Sequence, residues 1–340
     1  MITIDAMGEI RVSIIGFGNV TNTLIKGLEY YRNDKKNSNN LGIWHDKVGG
    51  YSLDDIKIVS IFDIDADKVG KLVTCNDSIK INAGMLIDQK PSYWNNNIVS
   101  VSKDELLSML KDSRPDVVVN LISSSMDRSS YAYAECSLAC NSSFINATPT
   151  ALASNTDISK RFKDNGLILV GDDLMSQFGG TVFHRIILRM MHKRGLVVKD
   201  SYQLDVGGSS DTRNTLQEHI RAKKRSIKTS SINTELPYEF NLAAGTTEYT
   251  EFLDGDRVSY YWIYSEGFMG SPIKVDITMR SNDASNACNV LLDVIRAVKY
   301  AMDVKDVSLA DIISAYGFKS PPRQISVIDA QDEFERIFVK

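Results

Sequence analysis

Two lysines four residues apart, Lys224 and Lys228, lie in the densest basic cluster of the sequence. On a helix they share one face. Such a cluster indicates either a solvated charged surface or a binding site, and composition alone favours the surface. The segment GGSSD (207–211) directly before it and Lys319 in GFKSPP near the end favour a site. Several cations together can bind the phosphate of a phosphorylated sugar, and a lysine withdrawn from water can move a hydroxyl proton near neutral pH.

A second chemical signal is the segment GFGNV (16–20), which follows an apolar run and precedes a helical pattern. In a dinucleotide-binding turn, glycines let the backbone approach a pyrophosphate, which then lies at the helix N-terminus. Gly16, Gly18, Asn19 and Val20 are therefore cofactor-binding candidates. Thr21 replaces the third glycine of the usual G-x-G-x-x-G pattern, and an ordinary tight turn is the alternative interpretation.

Polar residues also follow the later apolar runs. Asp63 ends the next run, where an acid is expected to bind the adenosine ribose hydroxyls. It comes 47 residues after Gly16, later than usual, and the polar stretch 32–52, which we expect to be an inserted loop, accounts for the excess. An Asp at this position disfavours a 2′-phosphate, so NAD is predicted rather than NADP. Ser123 and Asn146, near the ends of two further runs, are either cofactor contacts or ordinary polar strand ends.

Short apolar runs alternate with helical patterns through the first half of the chain. The runs are 10–18, 56–65, 116–125, 143–148 and 166–173, and the helical patterns are 21–31 and 129–141. Nearly continuous apolar strands separated by helices predict a parallel sheet covered on both faces. We expect an α/β, Rossmann-type doubly wound NAD-binding domain over residues 1–200, completed by C-terminal helices at 300–340.

The pattern changes near residue 200. Alternating segments at 257–266 and 272–280 predict strands of an antiparallel or one-faced sheet, and a helical pattern follows at 287–302. Residues 201–299 are therefore expected to form a second, α+β domain for catalysis and oligomerisation. The segment 257–266 carries apolar side chains on both faces, which suits a subunit interface.

Composition excludes several classes of function. The 340 residues carry a net charge of −4, which removes the electrostatic case for a nucleic-acid-binding protein. No apolar run reaches the roughly 18 residues that cross a membrane, and the N-terminal sequence lacks the features of a secretory signal. Four cysteines without a CxxC pair fit reduced thiols in the cytoplasm. The four histidines lack metal-ligand spacing, and Cys136 and Cys140 fit buried thiols better than a metal pair, so no metal site is predicted.

Eight segments, in this order along the chain, resemble the myo-inositol-1-phosphate synthase (inositol-3-phosphate synthase) family, particularly its shorter archaeal type. They are GFGNVTNTLIKG, IFDIDADKVGK, FINATP, GDD, SYQLDVGGSSD, KKRSIKT, SNDASNACNVLLDVIRAVKYAMD and YGFKSPP. The resemblance covers nearly the whole chain. It implies conversion of glucose 6-phosphate to an inositol monophosphate by a homotetramer with tightly bound NAD. The implied steps are oxidation at C5, enolisation at C6, aldol-type attack on the C1 aldehyde, and reduction at C5.

The resemblance also implies which side chains form the active site. Lys224 and Lys228 match the family's lysine pair, and Lys319 matches its C-terminal lysine. Acids of the family's site that hold and tune those lysines, or lie beside them, match Asp173, Asp211 and Asp283. Which lysine is the base at C5 and which lysines polarise carbonyls stays open.

Two positions depart from the family pattern: Arg257 and Met175 stand where the family has lysines. An arginine stays protonated, so it can stabilise an oxyanion but can hardly transfer a proton. The departures keep two alternatives open, a related NAD enzyme acting on another sugar phosphate and a net NAD-dependent dehydrogenase. A catalytically silent NAD-binding protein is a third, which the retained lysines disfavour.

Overall fold

A computed structural model of the chain describes residues 8–33, 42–75, 77–91 and 94–339. Residues 1–7, and residues 34–41 of the predicted polar insert at 32–52, lie outside the described residues. The larger of two sheets contains the strands β1 (Ile10–Ile15), β2 (Ile56–Asp63), β3 (Leu72–Cys75), β4 (Asp77–Ala83), β5 (Val117–Asn120), β6 (Ser143–Asn146) and β7 (Leu169–Val170). Their order in space is β3-β4-β2-β1-β5-β6-β7.

This sheet is parallel except at one edge, where β3 and β4 are antiparallel. Its central strands are short. They are apolar because helices cover both faces of the sheet. Every residue of β5 and β6 is buried, and so are five of the six in β1. The chain order reverses on either side of β1, which confirms the predicted doubly wound α/β fold.

In the described chain, four helices connect strands of the larger sheet, a fifth leads from β7 to the second sheet, and side-chain caps lie at the start of two of them. The five helices are α1 (Asn19–Asn33), α2 (Lys103–Ser113), α3 (Asp127–Ala139), α4 (Thr156–Asp164) and α5 (Gly180–Lys193). Ser102 and Glu105 form a reciprocal capping box at the start of α2, which satisfies two backbone N–H groups that the helix leaves free. The Asn155 side chain accepts backbone N–H bonds at the start of α4.

The second sheet begins near residue 200, as the change of pattern predicts. It contains β8 (Val197–Gly207), β9 (Asn241–Tyr249), β10 (Asp256–Glu266) and β11 (Pro272–Asn282), in the order β11-β10-β8-β9. The β8–β9 pair is parallel and the other two pairs are antiparallel. Two helices, α6 (Ser210–Asn214) and α7 (Glu218–Asn233), lie between β8 and β9 in the chain.

Three C-terminal helices complete the described chain: α8 (Asp283–Asp303), α9 (Leu309–Gly317) and α10 (Val327–Phe338). The residues of α8 predicted to share one side are buried, and α8 packs against α1 of the larger sheet. The α9 helix packs against α8 and α10. The division into domains at residues 200 and 299 stays a prediction; α8, which begins within the second predicted domain, packs against α1 and β5 of the first.

The two faces of β10 differ in their burial. Ser259, Tyr261, Ile263 and Ser265 are buried beneath the sheet. The opposite face carries Tyr260, which is 43% exposed, and other aromatic side chains. The predicted homotetramer would cover this face and stays a prediction. Among the described residues, no helix is long and apolar enough to cross a membrane.

Candidate active site

The carboxyl end of the larger sheet and the inner face of the second sheet enclose a cavity of about 290 Å³. It opens between β1 and β5, at the point where the strand order reverses and where open α/β sheets bind their ligands. All seven side chains predicted to be catalytic line it: Asp173, Asp211, Lys224, Lys228, Arg257, Asp283 and Lys319. Of the predicted cofactor contacts, the wall includes Gly18, Asn19, Val20 and Ser123.

The turn between β1 and α1 has the geometry that close approach of a ligand requires. Gly16 has a φ of +98°, and a Cβ there would lie 2.7 Å from the Leu121 carbonyl oxygen, so only glycine fits. A Cβ on Gly18 would meet nothing within 4 Å, which leaves space above the turn. Thr21, in place of the third glycine, is buried and donates its hydroxyl to the Gly16 carbonyl at 2.5 Å.

Asp63 lies behind this turn rather than in the cavity wall. Its Oδ2 accepts the Phe17 backbone N–H at 2.7 Å, and the Lys68 Nζ lies 3.6 Å from the same oxygen. Lys68 also donates to the Phe17 carbonyl at 3.0 Å. The carboxylate therefore ties the end of β2 to the glycine turn, the arrangement in which an acid at this strand end can face a ribose.

The two aspartates of the GDD segment have separate environments. Asp172 is 1% exposed and accepts backbone N–H bonds from Leu152, Ala153 and Ser154, so it organises the loop before α4. Asn146, predicted to contact the cofactor, is fully buried and donates to Asp172 at 2.8 Å.

Asp173 faces the cavity instead. It adopts a left-handed φ of 62°, and Lys319 donates from Nζ to its Oδ1 at 2.7 Å. The run predicted as a strand at 166–173 is therefore extended in the sheet only at Leu169–Val170. The residues after it turn away to make these contacts.

One carboxylate joins the two sheets across the cavity. The Ser124 hydroxyl, after β5, donates to Asp211 Oδ1 at 2.5 Å, and the Lys224 ammonium on α7 lies 2.5 Å from Asp211 Oδ2. Asp211 is half exposed into the open cavity while protein atoms surround it closely. The surrounding protein atoms would raise the pKa of Asp211, but the Lys224 charge and the bonds from Lys224 and Ser124 outweigh them and lower the pKa.

Lys228, one turn further along α7, is paired with Asp205 on β8. Arg257 donates to Asp283 at 2.7 Å and lies 3.6 Å from Asp205. Burial would raise the pKa of Asp205, yet the Lys228 and Arg257 charges lower it, so its carboxyl group is ionised. Burial lowers the pKa of Lys228, and the Arg257 charge lowers it further. The Asp205 charge raises the pKa but does not outweigh them. Lys228 therefore loses its proton more easily than an ordinary lysine.

Comparison with known proteins places the chain in a family. The family model described as myo-inositol-1-phosphate synthase matches residues 179–284. The inositol-3-phosphate synthase of Mycolicibacterium smegmatis is 31% identical over 96% of this chain and 97% of its own length. The chain belongs to the inositol-3-phosphate synthase family. The inositol-3-phosphate synthase of Corynebacterium glutamicum is 29% identical over 97% of this chain and 98% of its own length.

Solved structures of the family share the fold. A myo-inositol-1-phosphate synthase-related protein from Thermotoga maritima superposes with a TM-score of 0.84 at 22% identity, covering 96% of this chain and 98% of that one. Inositol-3-phosphate synthase from Caenorhabditis elegans superposes with a TM-score of 0.78 at 13% identity, and the match covers 98% of this chain and 85% of that one. These similarities support the fold assignment.

The two departures from the family pattern have different surroundings. Arg257 lines the cavity and takes part in its ion pairs. Met175 is buried outside the wall, and its sulfur lies 3.6 Å from the Arg185 guanidinium, which is paired with Glu235. The first departure therefore concerns groups that can touch a ligand, whereas the second is part of the packing behind them.

Two residues of the site were missed by the sequence analysis, Asp205 and Ser124. Both lie within apolar or small-residue runs, and their partners are 23 and 87 residues away. The only signal was the polar alternation of Ser201, Gln203 and Asp205 along one face of β8, which is unusual for a buried strand face. In the described part of the chain, no group of three or more His, Cys, Asp or Glu side chains could hold a metal ion.

Proposed function

We propose that the protein converts glucose 6-phosphate to an inositol phosphate in an NAD-dependent reaction whose oxidation and reduction cancel. One observation carries this proposal: a single cavity is lined by both the glycine turn after β1 and four cationic side chains, each paired with a carboxylate. The family membership supports the same substrate and product.

The residues present fit a bound dinucleotide. Gly16 permits a turn that no other residue could form, Gly18 leaves room above it, and the first turn of α1 carries no acidic side chain that would repel a pyrophosphate. Asn19 and Val20 would hold the pyrophosphate by their backbone, and Asp63 would hold the adenosine ribose. The chemistry that NAD supplies when bound is hydride transfer at C5.

Lys228 is the side chain best suited to take the C5 hydroxyl proton. It is nearly buried, and burial lowers its pKa, so it gives up its ammonium proton more easily than an exposed lysine does. Arg257 stays charged and is suited to stabilise an oxyanion. Lys224 and Lys319 supply further positive charge for the phosphate or for carbonyl oxygens. The inner face of the second sheet covers these groups and excludes water from them.

A related enzyme acting on another sugar phosphate, or a net dehydrogenase, is the second candidate. The observation that favours it is Arg257, which contributes charge to the cavity but no transferable proton where the family has a lysine.

Incubation with glucose 6-phosphate and NAD distinguishes these functions. We expect an inositol phosphate, identified by NMR, with no net rise in NADH absorbance. Stoichiometric NADH release would move the assignment to a dehydrogenase, and conversion of a different sugar phosphate alone would move it to the related enzyme. Heat-inactivated protein is the blank for spontaneous chemistry.

Cofactor choice is a separate prediction. Because we assign the Asp63 carboxylate to the adenosine ribose, where it would repel a 2′-phosphate, we expect NAD to bind more tightly than NADP. Calorimetric titration with each cofactor, without sugar phosphate, measures this preference. Tighter binding of NADP would refute the assignment of Asp63.

A further inference from the structure

Asp205 is the most deeply buried carboxylate that the cavity contains. It has no exposed surface and lies on the inner face of β8, below Lys228 and Arg257. An ionised carboxylate in such a position is costly unless several donors satisfy it. The hydrogen bonds and ion pairs of its two carboxylate oxygens indicate its role.

The Oδ1 atom is fixed by neutral groups of the second sheet. The Ser259 hydroxyl donates to it at 2.6 Å, and Gln203 Nε2 donates to it at 3.0 Å and to Oδ2 at 3.1 Å. Gly180, the first residue of α5, packs against this group, since a Cβ there would lie 2.5 Å from the Gln203 Nε2. The N-terminus of α5, where the helix dipole is positive, therefore lies close to the carboxylate.

The Oδ2 atom is shared between two cations on different elements. Lys228 of α7 donates to it, and the Arg257 guanidinium of β10 lies 3.6 Å away. One fixed oxygen thus sets the position of two side chains that line the cavity, although Asp205 itself is held too firmly to reach a ligand. Its influence on the reaction must pass through those two neighbours.

We propose that Asp205 is a positioning residue. It holds Lys228 and Arg257 beside one oxygen and so makes the protonation of Lys228 depend on its own charge and on that of Arg257. The inference rests on the proposed function for its catalytic meaning, because Lys228 is the group assigned there to the C5 hydroxyl. Its physical content, the control of one lysine by one carboxylate, does not depend on the substrate.

The charges around Lys228 determine the direction of the effect. Asp205 of β8 favours the charged ammonium, while Arg257 of β10 and Lys319 after α9 disfavour it. His184 of α5, also near, is neutral because burial lowers its pKa to about 4. Lys224 lies on the same helix and is paired with Asp211. Removing the Asp205 charge should therefore make Lys228 lose its proton at lower pH, and removing the Arg257 charge should do the opposite.

Competitive acetylation of the protein without substrate measures this directly. Acetic anhydride modifies only neutral amines, so the Lys228 labelling rate against pH, followed by mass spectrometry with surface Lys103 as reference, gives a midpoint. In Asp205→Asn we expect the midpoint to fall by about one to three pH units. In Arg257→Gln we expect it to rise. Because the two shifts have opposite signs, general loosening of the site cannot produce both.

The matched control is Glu235→Gln, which disrupts another buried ion pair, that with Arg185, away from the cavity wall. We expect it to lower stability and leave the Lys228 midpoint unchanged. An unchanged or raised midpoint in Asp205→Asn overturns the proposal. If that variant does not fold, an unchanged midpoint in Arg257→Gln overturns it, because the shared oxygen then transmits no effect between the two cations.

Turnover against pH supplies the catalytic readout. With Lys228 as the base, the acid limb of kcat/KM should move to lower pH in Asp205→Asn, together with a fall in kcat. Midpoint shifts without formation of inositol phosphate by the wild type would overturn the proposed function and leave the role of Asp205 intact. Formation of inositol phosphate without midpoint shifts would overturn the role of Asp205 alone.

Discussion

Arg257 and Arg296 are both buried arginines paired with aspartates, but they differ in what surrounds them. Arg257 lies on the cavity wall, where its partners Asp283 and Asp205 leave the guanidinium facing open volume. Arg296, on α8, has no exposed surface and donates to Asp293 and to the backbone carbonyls of His45, Asp46 and Leu292. All of its contacts are internal to the protein.

The cluster around Arg296 also contains buried charges, but it is closed. Asp293 accepts bonds from Arg296 at 2.6 Å, from Tyr316 at 2.6 Å and lies 2.7 Å from the His45 ring nitrogen. Tyr316 stacks on Phe334 with ring centroids 3.8 Å apart. Burial of charge therefore does not identify a functional site in this chain. What identifies a functional site here is that its charged groups line an open cavity.

Removing a cation from the cavity wall should chiefly affect turnover. Lys228→Met removes the proposed base while keeping an apolar side chain of similar length, so we expect a loss of roughly 10²- to 10⁴-fold in kcat. Product formation followed by NMR measures it. Lys103→Met, which breaks an exposed lysine–carboxylate pair on α2, is the control and should retain wild-type turnover. Equal activity of the two variants would remove Lys228 from the reaction.

Removing the cation of the closed cluster should chiefly affect stability. Arg296→Met leaves the buried Asp293 without its main partner, which typically costs about 3–5 kcal/mol of unfolding free energy. Urea unfolding measures the loss, and turnover per folded molecule should stay near the wild-type value. A variant that is stable but inactive would mean that this cluster contributes to the reaction and that the contrast is wrong.

The departure at Arg257 sharpens the comparison within the cavity. Arg257→Lys keeps the charge and should keep much of the activity, whereas Arg257→Met should lose on the order of 100-fold in rate, the typical effect of removing one preorganised oxyanion donor. NAD affinity should change little in either variant, because the glycine turn lies on the other sheet. Turnover of the Met variant close to that of wild type would exclude Arg257 from the active site.

The smallest expected effect is a pH dependence of stability that arises from His45 in the closed cluster around Arg296. Burial lowers the pKa of His45, but its bonds to Asp293 and Glu335 outweigh this and raise the pKa above the usual value. Its contribution to stability is therefore fully present below about pH 6.5 and is lost as pH rises through the raised pKa. The difference in unfolding free energy between wild type and His45→Gln should shrink as pH increases across the neutral range. A difference that grows with pH would contradict this sign.

The nucleotide side of the molecule could be predicted from sequence because its signals are local. The apolar run ending at Ile15, the glycines at 16 and 18 and the helix after them are consecutive, and each constrains the next. The same holds for α7, where the spacing of Lys224 and Lys228 on one helix sets their common direction. Their meeting with Lys319 came from the family resemblance, not from spacing.

Asp205 could not be predicted, for a physical reason. It is one polar residue in an alternating strand, and its role depends on Ser259 and Arg257, which reach it only through the pairing of β8 with β10. A register shift of one residue would turn Asp205 to the opposite face of the sheet. Sequence patterns leave such a register open, so the residue that organises the cations became visible only in the folded chain.

The pairing of every cavity cation with a carboxylate has a consequence for association kinetics. Four basic and four acidic side chains line the wall, so their charges balance, and the chain as a whole carries a charge of −4. Electrostatic steering of an anion requires a net field of opposite sign outside the cavity, and salt screens such a field over a Debye length of about 8 Å at physiological ionic strength. A phosphorylated sugar would therefore reach this cavity by unassisted diffusion, at a rate that depends only weakly on ionic strength. Positive charge would act on it only after entry, at contact distance.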